Sequence, residues 1–230
     1  LDAAGCYRRR DDAIRLVAPQ YGAGYKAKIV LPSVLESTGY NVYSVVIRDP
    51  EGNDSRVRLT APAMLGIVAA TNFKQRVRKM LEYYYADRLN FVVAGTPNRL
   101  EYDQGFFVKL GDGAADIKPI AHLYKSQVYA MAEYLGVPAD IRRRPPTTDT
   151  YPLEQGQDEL YFSLPYAKMD LALYGKNHGY TSEQVAPAVG LTPEQVEYVY
   201  ADIDRKRSTT QYLHAPPQLV EQVAELPKLS

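Results

Sequence analysis

The longest periodic run of apolar positions lies between Met64 and Asn90. Leu65, Val68, Ala69, Phe73, Val77, Met80, Leu81 and Tyr84 recur at three- and four-residue steps, the spacing that lines one face of an α-helix. Pro62 stands just before the run and Asn90 at its end, which is helix punctuation. The next apolar segment, Phe91-Val92-Val93-Ala94, is short and partly β-branched, and predicts a buried strand. Gly95-Thr96-Pro97-Asn98 breaks it with turn chemistry. In open α/β sheets the carboxyl end of a strand is where ligands bind. Upstream, residues 1–20 read as a charged helix with Tyr7, Ile14, Leu16 and Val17 as its sparse apolar points, and Arg8, Arg9 and Arg10 as a solvated face. Tyr40–Arg48 and Arg56–Thr60 predict a hairpin joined through Asp49–Asp54. Downstream come an amphipathic helix from Ser126 to Leu135, a loop over residues 150–164, and helices at Tyr166–Tyr174, Ser182–Val189 and Pro193–Arg207. The last has Thr192 as N-cap and proline in its first turn.

Composition narrows the class without choosing the chemistry. The chain has 230 residues, enough for one domain with its own core. Lys+Arg and Asp+Glu both number 27, so net charge offers no attraction to nucleic acid or to an anionic membrane. No apolar run has the length of a membrane span, and the first residues carry no signal-peptide pattern. Cys6 stands alone, so an internal disulfide is impossible, and a cytoplasmic setting is the expectation. The chain holds 20 tyrosines and no tryptophan, a bias with no evident functional meaning in the sequence.

Candidate chemistry concentrates after the predicted strand. Glu101, Asp103, Lys109, Asp112, Asp116, Lys118 and Lys125 fall within one glycine-interrupted stretch. Backbone lying close against a phosphate and a metal ion would use both the glycines and the mixed charges. The stretch GTPNRLEYDQGFFVKLGDGAADIKPIAHLYKSQV resembles the signature segment of ammonia-dependent NAD synthetases. Asn72-Phe73-Lys74-Gln75-Arg76-Val77-Arg78-Lys79-Met80 is similar to a second family segment, in which Asn72 and Arg76 share a helix face. Thr147 falls in a stretch resembling the family's nucleotide-contacting loop. Gln155, Gln157, Asp158 and Glu159 lie where the family has a loop that closes over substrate.

The resemblance implies an α/β fold of three layers: a mostly parallel sheet with flanking helices, adenine nucleotide alpha hydrolase-like. One domain over residues 1–230 is expected, the C-terminal two-thirds of that unit, with residues 21–62 as a subgroup-specific insertion. It implies a ligase that joins ammonia to nicotinic acid adenine dinucleotide (deamido-NAD) with ATP and Mg²⁺. By resemblance Glu101 would be the metal ligand. Thr96, Lys125 and Thr147 would bind ATP; Asn72, Arg76, Lys109 and Asp116 would bind the dinucleotide; Asp116 and Lys125 would stand closest to the chemistry. A homodimer is implied, with no nucleic acid and no membrane as partner. Asp112, within Gly111-Asp112-Gly113, reads as a turn-former. His122, His178 and His214 lack metal-site spacing and read as structural.

Two departures from the family pattern stand out. The family's Ser-Gly-Gly-x-Asp-Ser loop, which cradles pyrophosphate, does not occur in residues 1–230; it is expected upstream. Gln211-Tyr212 stands where the family commonly has a His-Lys pair. Two alternatives therefore stay open: a related adenylating amide ligase acting on another carboxylic acid, and a non-catalytic nucleotide-binding subunit.

Overall fold

The computed structural model describes residues 3–31, 43–147, 150–162 and 164–221. Helix α1 (Ala3–Arg15) leads into a three-stranded sheet, β1 (Lys26–Val30), β2 (Ser44–Arg48) and β3 (Asp54–Arg58), and then into α2 (Ala61–Leu89). The sheet order is β1-β2-β3 and both pairings are antiparallel, with Val45 opposite Ile29 and Val57. The expected hairpin is β2–β3. The first residues of its predicted span, Tyr40, Asn41 and Val42, lie outside the described residues. Asp49 closes the turn, accepting from the Asn53 backbone N–H at 2.7 Å.

Helix α2 starts and stops where its punctuation demands. The Thr60 hydroxyl accepts from the Ala63 N–H, and Asn90 takes the left-handed conformation (φ 54°, ψ 51°) as C-cap, which asparagine tolerates better than most residues. The short α3 (Arg99–Gln104) follows, then α4 (Lys125–Tyr134), α5 (Ala139–Arg142) and a π-helical turn at Asp158–Phe162. Helices α6 (Tyr166–Asn177), α7 (Ser182–Val189) and α8 (Pro193–His214) finish the described fold. The expected last helix therefore runs further than Arg207, to His214.

The α/β class is as expected. The sheet itself is the antiparallel β1–β3, and the parallel pairing among the described residues is a single bridge, Ala94 to Ile117. Phe91–Ala94 is accordingly not a buried strand: Phe91 is 70% and Val92 66% exposed. A strand needs a partner for its backbone bonds, and only Val93, Ala94 and Gly95 find one in the Asp116–Ile117 segment.

Apolar side chains collect in two cores. One joins α1, the sheet and the start of α2 through Ile14, Ile29, Val45, Ile47 and Ile67. The other joins α3, α6, α7 and α8 through Leu100, Phe162, Leu173, Val196 and Ile203. Tyr151 and Leu160 pack against the first core, while Phe162 belongs to the second and Tyr161 packs against it. The 150–162 segment therefore straddles the two.

Candidate functional site

Between the cores lies a cleft of about 640 Å³. Helix α2 supplies Met64, Val68, Thr71, Asn72, Gln75 and Arg76, the loop into α3 supplies Thr96 and Pro97, and α3 itself supplies Glu101. Residues 105–112 form another wall, Thr150, Tyr151, Gln157, Leu160 and Tyr161 a further one, and Thr210, Tyr212 and Leu213 come from α8. Ile29 of β1 and Tyr43 beside β2 complete the lining.

Glu101 owes its position to local sequence. Asn98 caps α3, its Oδ1 accepting from the backbone N–H groups of Leu100 (2.9 Å) and Glu101 (3.2 Å). Glu101 returns the bond, its Oε2 accepting from the Asn98 N–H at 2.8 Å. This reciprocal box fixes the side chain at a helix start. Burial pushes the Glu101 carboxyl above the ordinary glutamate range, opposed by the Asn98 N–H and by the charge of Lys125. Asn98 Nδ2 beside it is buried without a hydrogen-bond partner. Among the described residues no group of three or more His, Cys, Asp or Glu gathers as a metal site. A single carboxylate still suits Mg²⁺, which commonly takes one or two carboxylates together with substrate phosphates and water.

Of the sequence candidates, Asn72, Arg76, Thr96, Glu101 and Lys109 come together in this cleft. Arg76 Nε donates to the Lys109 carbonyl at 3.2 Å. Lys109 Nζ turns the other way and donates to the carbonyls of Tyr212 (2.7 Å) and Ala215 (2.8 Å), tying the signature segment to the end of α8. Asp112 forms its turn as expected, accepting from the Val108 N–H at 2.8 Å, and also lines the cleft.

Three candidates do not line it. The Asp116 carboxylate accepts from the Val93 N–H at 2.7 Å and lies 3.5 Å from the Tyr83 hydroxyl. Lys125 opens α4, with its ammonium 5.4 and 5.6 Å from the Tyr129 and Tyr166 ring centres. Thr147 is bridged to Gly156 across the neck of the 147–156 segment. The expected solvated arginine face holds at Arg8 and Arg9, which are exposed, and fails at Arg10. Arg10 is buried, holding Asp11 and donating to the Thr150 carbonyl at 2.5 Å.

Sequence reasoning missed the aromatic wall of Tyr43, Tyr151 and Tyr161, whose hydroxyls burial pushes upward in pKa. The tyrosine excess was its only trace. Tyr212 does line the cleft, whereas its neighbour Gln211 is exposed and does not.

Fold and site together define an α/β protein with a cleft that holds a half-buried carboxylate, a guanidinium and an aromatic wall. The family model described as NAD synthase matches residues 35–212, and the chain belongs to that family. It is 62% identical over 226 residues to the NH(3)-dependent NAD(+) synthetase of Rhizobium meliloti (strain 1021), covering 98% of this chain and 68% of the relative. It is 36% identical over 151 residues to that of Thermotoga maritima, covering 65% of this chain and 52% of the relative. A solved structure, the NH3-dependent NAD synthetase from Campylobacter jejuni in complex with the nitrate ion, aligns with a TM-score of 0.49 at 25% identity. It covers 67% of this chain and 56% of that one.

Proposed function

We propose that the protein is a ligase that amidates nicotinic acid adenine dinucleotide with ammonia, consuming ATP and releasing NAD, AMP and pyrophosphate. The observation that carries this reading is Glu101, locked by its capping box in the same cleft as Asn72, Arg76 and Thr96. The names of the curated relatives support it. A carboxylate is a poor acceptor for ammonia because its leaving group would be oxide. Attack of that carboxylate on the α-phosphorus of ATP expels pyrophosphate and leaves an acyl-adenylate. Ammonia then adds at the acyl carbon, AMP departs with the bonding pair, and a proton is lost from nitrogen.

The residues serve these steps by binding and orienting. The fork of Arg76 grips a phosphate of the dinucleotide in two places, beside the Asn72 amide. Thr96 and Thr147 present hydroxyls to ATP, and Lys125 contributes positive charge to the triphosphate. Asp116 acts by position, holding through its bond to Val93 the segment that carries Thr96. Glu101 would hold Mg²⁺, which would supply further positive charge against the phosphates. We read the enzyme as a cytoplasmic homodimer with small-molecule substrates and no nucleic-acid or membrane partner. Residues 21–62 belong to this reading as an addition to one NAD synthetase-like domain.

Incubation with ATP, Mg²⁺, ammonium and the dinucleotide acid should yield NAD. Absence of NAD together with ATP–pyrophosphate exchange on another carboxylic acid would overturn the acceptor. Tyr212, uncharged where a cation is the family habit, is what makes that second outcome worth measuring.

A further inference from the structure

The segment from Thr150 to Leu160 lends Thr150, Tyr151, Gln157 and Leu160 to the cleft, yet its own proline- and glycine-containing sequence has little regular structure to hold it. The Thr147–Gly156 bridge holds its neck, and the sheet holds the stretch in between. Strand β1 is the outer strand, with β2 on one side only, so one row of its backbone groups has no strand partner. Two carbonyls of that row, on alternate residues, are taken by the segment. The Leu153 N–H donates to the Ala27 carbonyl at 3.3 Å, and the buried Gln155 amide donates to the Ile29 carbonyl. Between them Lys28, whose side chain leaves the opposite face of the strand, reaches Glu159 with Nζ 2.6 Å from Oε1. On the far side α1 adds the bond from Arg10 to the Thr150 carbonyl. The same strand puts Ile29 into the cleft wall.

The bond from the Leu153 N–H cannot choose a register by itself, because any extended segment could satisfy it; the buried Gln155 amide fixes the chain as far as residue 155. The ion pair extends that hold into the π-helical turn, where Glu159 is the side chain tied back to β1. Gln157, two residues before Glu159, is bonded by the Tyr166 hydroxyl and lines the cleft. Gln157, whose N–H donates to the Pro146 carbonyl at 3.2 Å, thus stands between two anchors on β1, Gln155 and Glu159.

We propose that Lys28 is a positioning residue for substrate binding: through Glu159 it ties the Asp158–Phe162 turn to β1 and so places the Gln157 and Leu160 wall of the cleft. The activity arm of this proposal rests on the function proposed above. The structural arm does not.

The test uses Lys28→Glu, Glu159→Lys, the exchanged pair carrying both, and the conservative Lys28→Arg. Two quantities are read on each: the rate of chymotrypsin cleavage within residues 150–162 in the absence of substrate, and the split between KM for the dinucleotide acid and kcat. Either single reversal should speed cleavage and raise KM about threefold or more, the scale of a solvent-facing ion pair, with kcat little changed. Lys28→Arg and the exchanged pair should return both towards the parent values. A milder Lys28→Met variant covers the chance that a reversal fails to fold; its excess cleavage over the parent should shrink as salt screens the parent's ion pair. Unchanged cleavage and KM in Lys28→Glu would overturn the proposal, as would an exchanged pair no better than Glu159→Lys alone. If the parent makes no NAD, the functional reading fails while the cleavage series still decides for or against Lys28.

Discussion

Glu101 carries opposing demands. As a cap it accepts from the Asn98 N–H; in the metal-holding role proposed for it, it must be ionised in a place where burial favours the proton. A carboxyl whose folded pKa lies above its unfolded value, near about 4.3, contributes its stability below that value and loses it as pH rises through the raised one. Glu101→Gln keeps an acceptor for Asn98 and removes the buried charge. The variant is expected to melt at or above the parent temperature at pH 7.5, with the difference vanishing towards pH 4, as measured by calorimetry. NAD formation should fall at least about a hundredfold, the scale of losing one preorganised electrostatic group. Under the proposed role, in which Glu101 works as the anion, activity of the parent should also drop in acid at a pH above the ordinary glutamate range. Retained activity in Glu101→Gln would remove it from the site. Asp112 and Arg10 mark the limits of reading single residues. The Gly-Asp-Gly turn is a local device and was legible. The burial of Arg10 depends on a carbonyl 140 residues away, which no local pattern encodes.

Among the elements, α3 is short and is held to α8 by side chains rather than by length. Gly105 ends α3 in the left-handed conformation (φ 72°), and a Cβ there would run into the Thr210 side chain of α8. Gly105→Ala combines an unfavourable backbone with overpacking and should cost about 2–4 kcal/mol in chemical denaturation. On the same pair of helices Arg207 holds Asp103 with two bonds, 2.6 and 2.8 Å, and also donates to Asn177 at 2.6 Å. Arg207→Met should cost about 1–3 kcal/mol by leaving Asp103 and Asn177 without their donor. A loss below about 0.5 kcal/mol would mean that water replaces the guanidinium freely. The helix ends themselves were written in the sequence: Thr60 and Thr192 as caps, Asn90 as stop, Pro193 in a first turn. The fate of Phe91–Ala94 was not, because a strand exists only where a neighbour takes its backbone bonds.

At the scale of the molecule, the cleft sits between two cores, and one face of α2 carries exposed apolar side chains onward from it. Met80, Leu81, Tyr84, Tyr85 and Leu89 are each more than half exposed, and Phe91 and Val92 continue them. Under the homodimer reading this face is where a second copy is expected, since a patch of that extent is rarely left to water. Sedimentation equilibrium should give twice the chain mass, and a double charge substitution, Leu81→Asp with Tyr85→Lys, should give a monomer that still folds. A parent that sediments as a monomer at micromolar concentration would end the dimer reading.

The sequence by itself determined what depends on short range: the helix periods and their caps, the Asp112 turn, the hairpin, and the family, since its signature is nearly continuous over the segment around Glu101. Only the tertiary structure decided which candidates share a cleft. Asn72, Arg76, Thr96, Glu101 and Lys109 meet there, while Asp116, Lys125 and Thr147 face other partners. It also brought Ile29, Tyr43 and Tyr151 into the wall and laid the 150–160 segment along the open edge of β1. The reason is physical. A cap or a turn closes its bonds within a few residues, so its chemistry is visible in the local pattern. A cleft wall is assembled by the packing of two cores, and the residues it selects are those whose helices and strands happen to face one another.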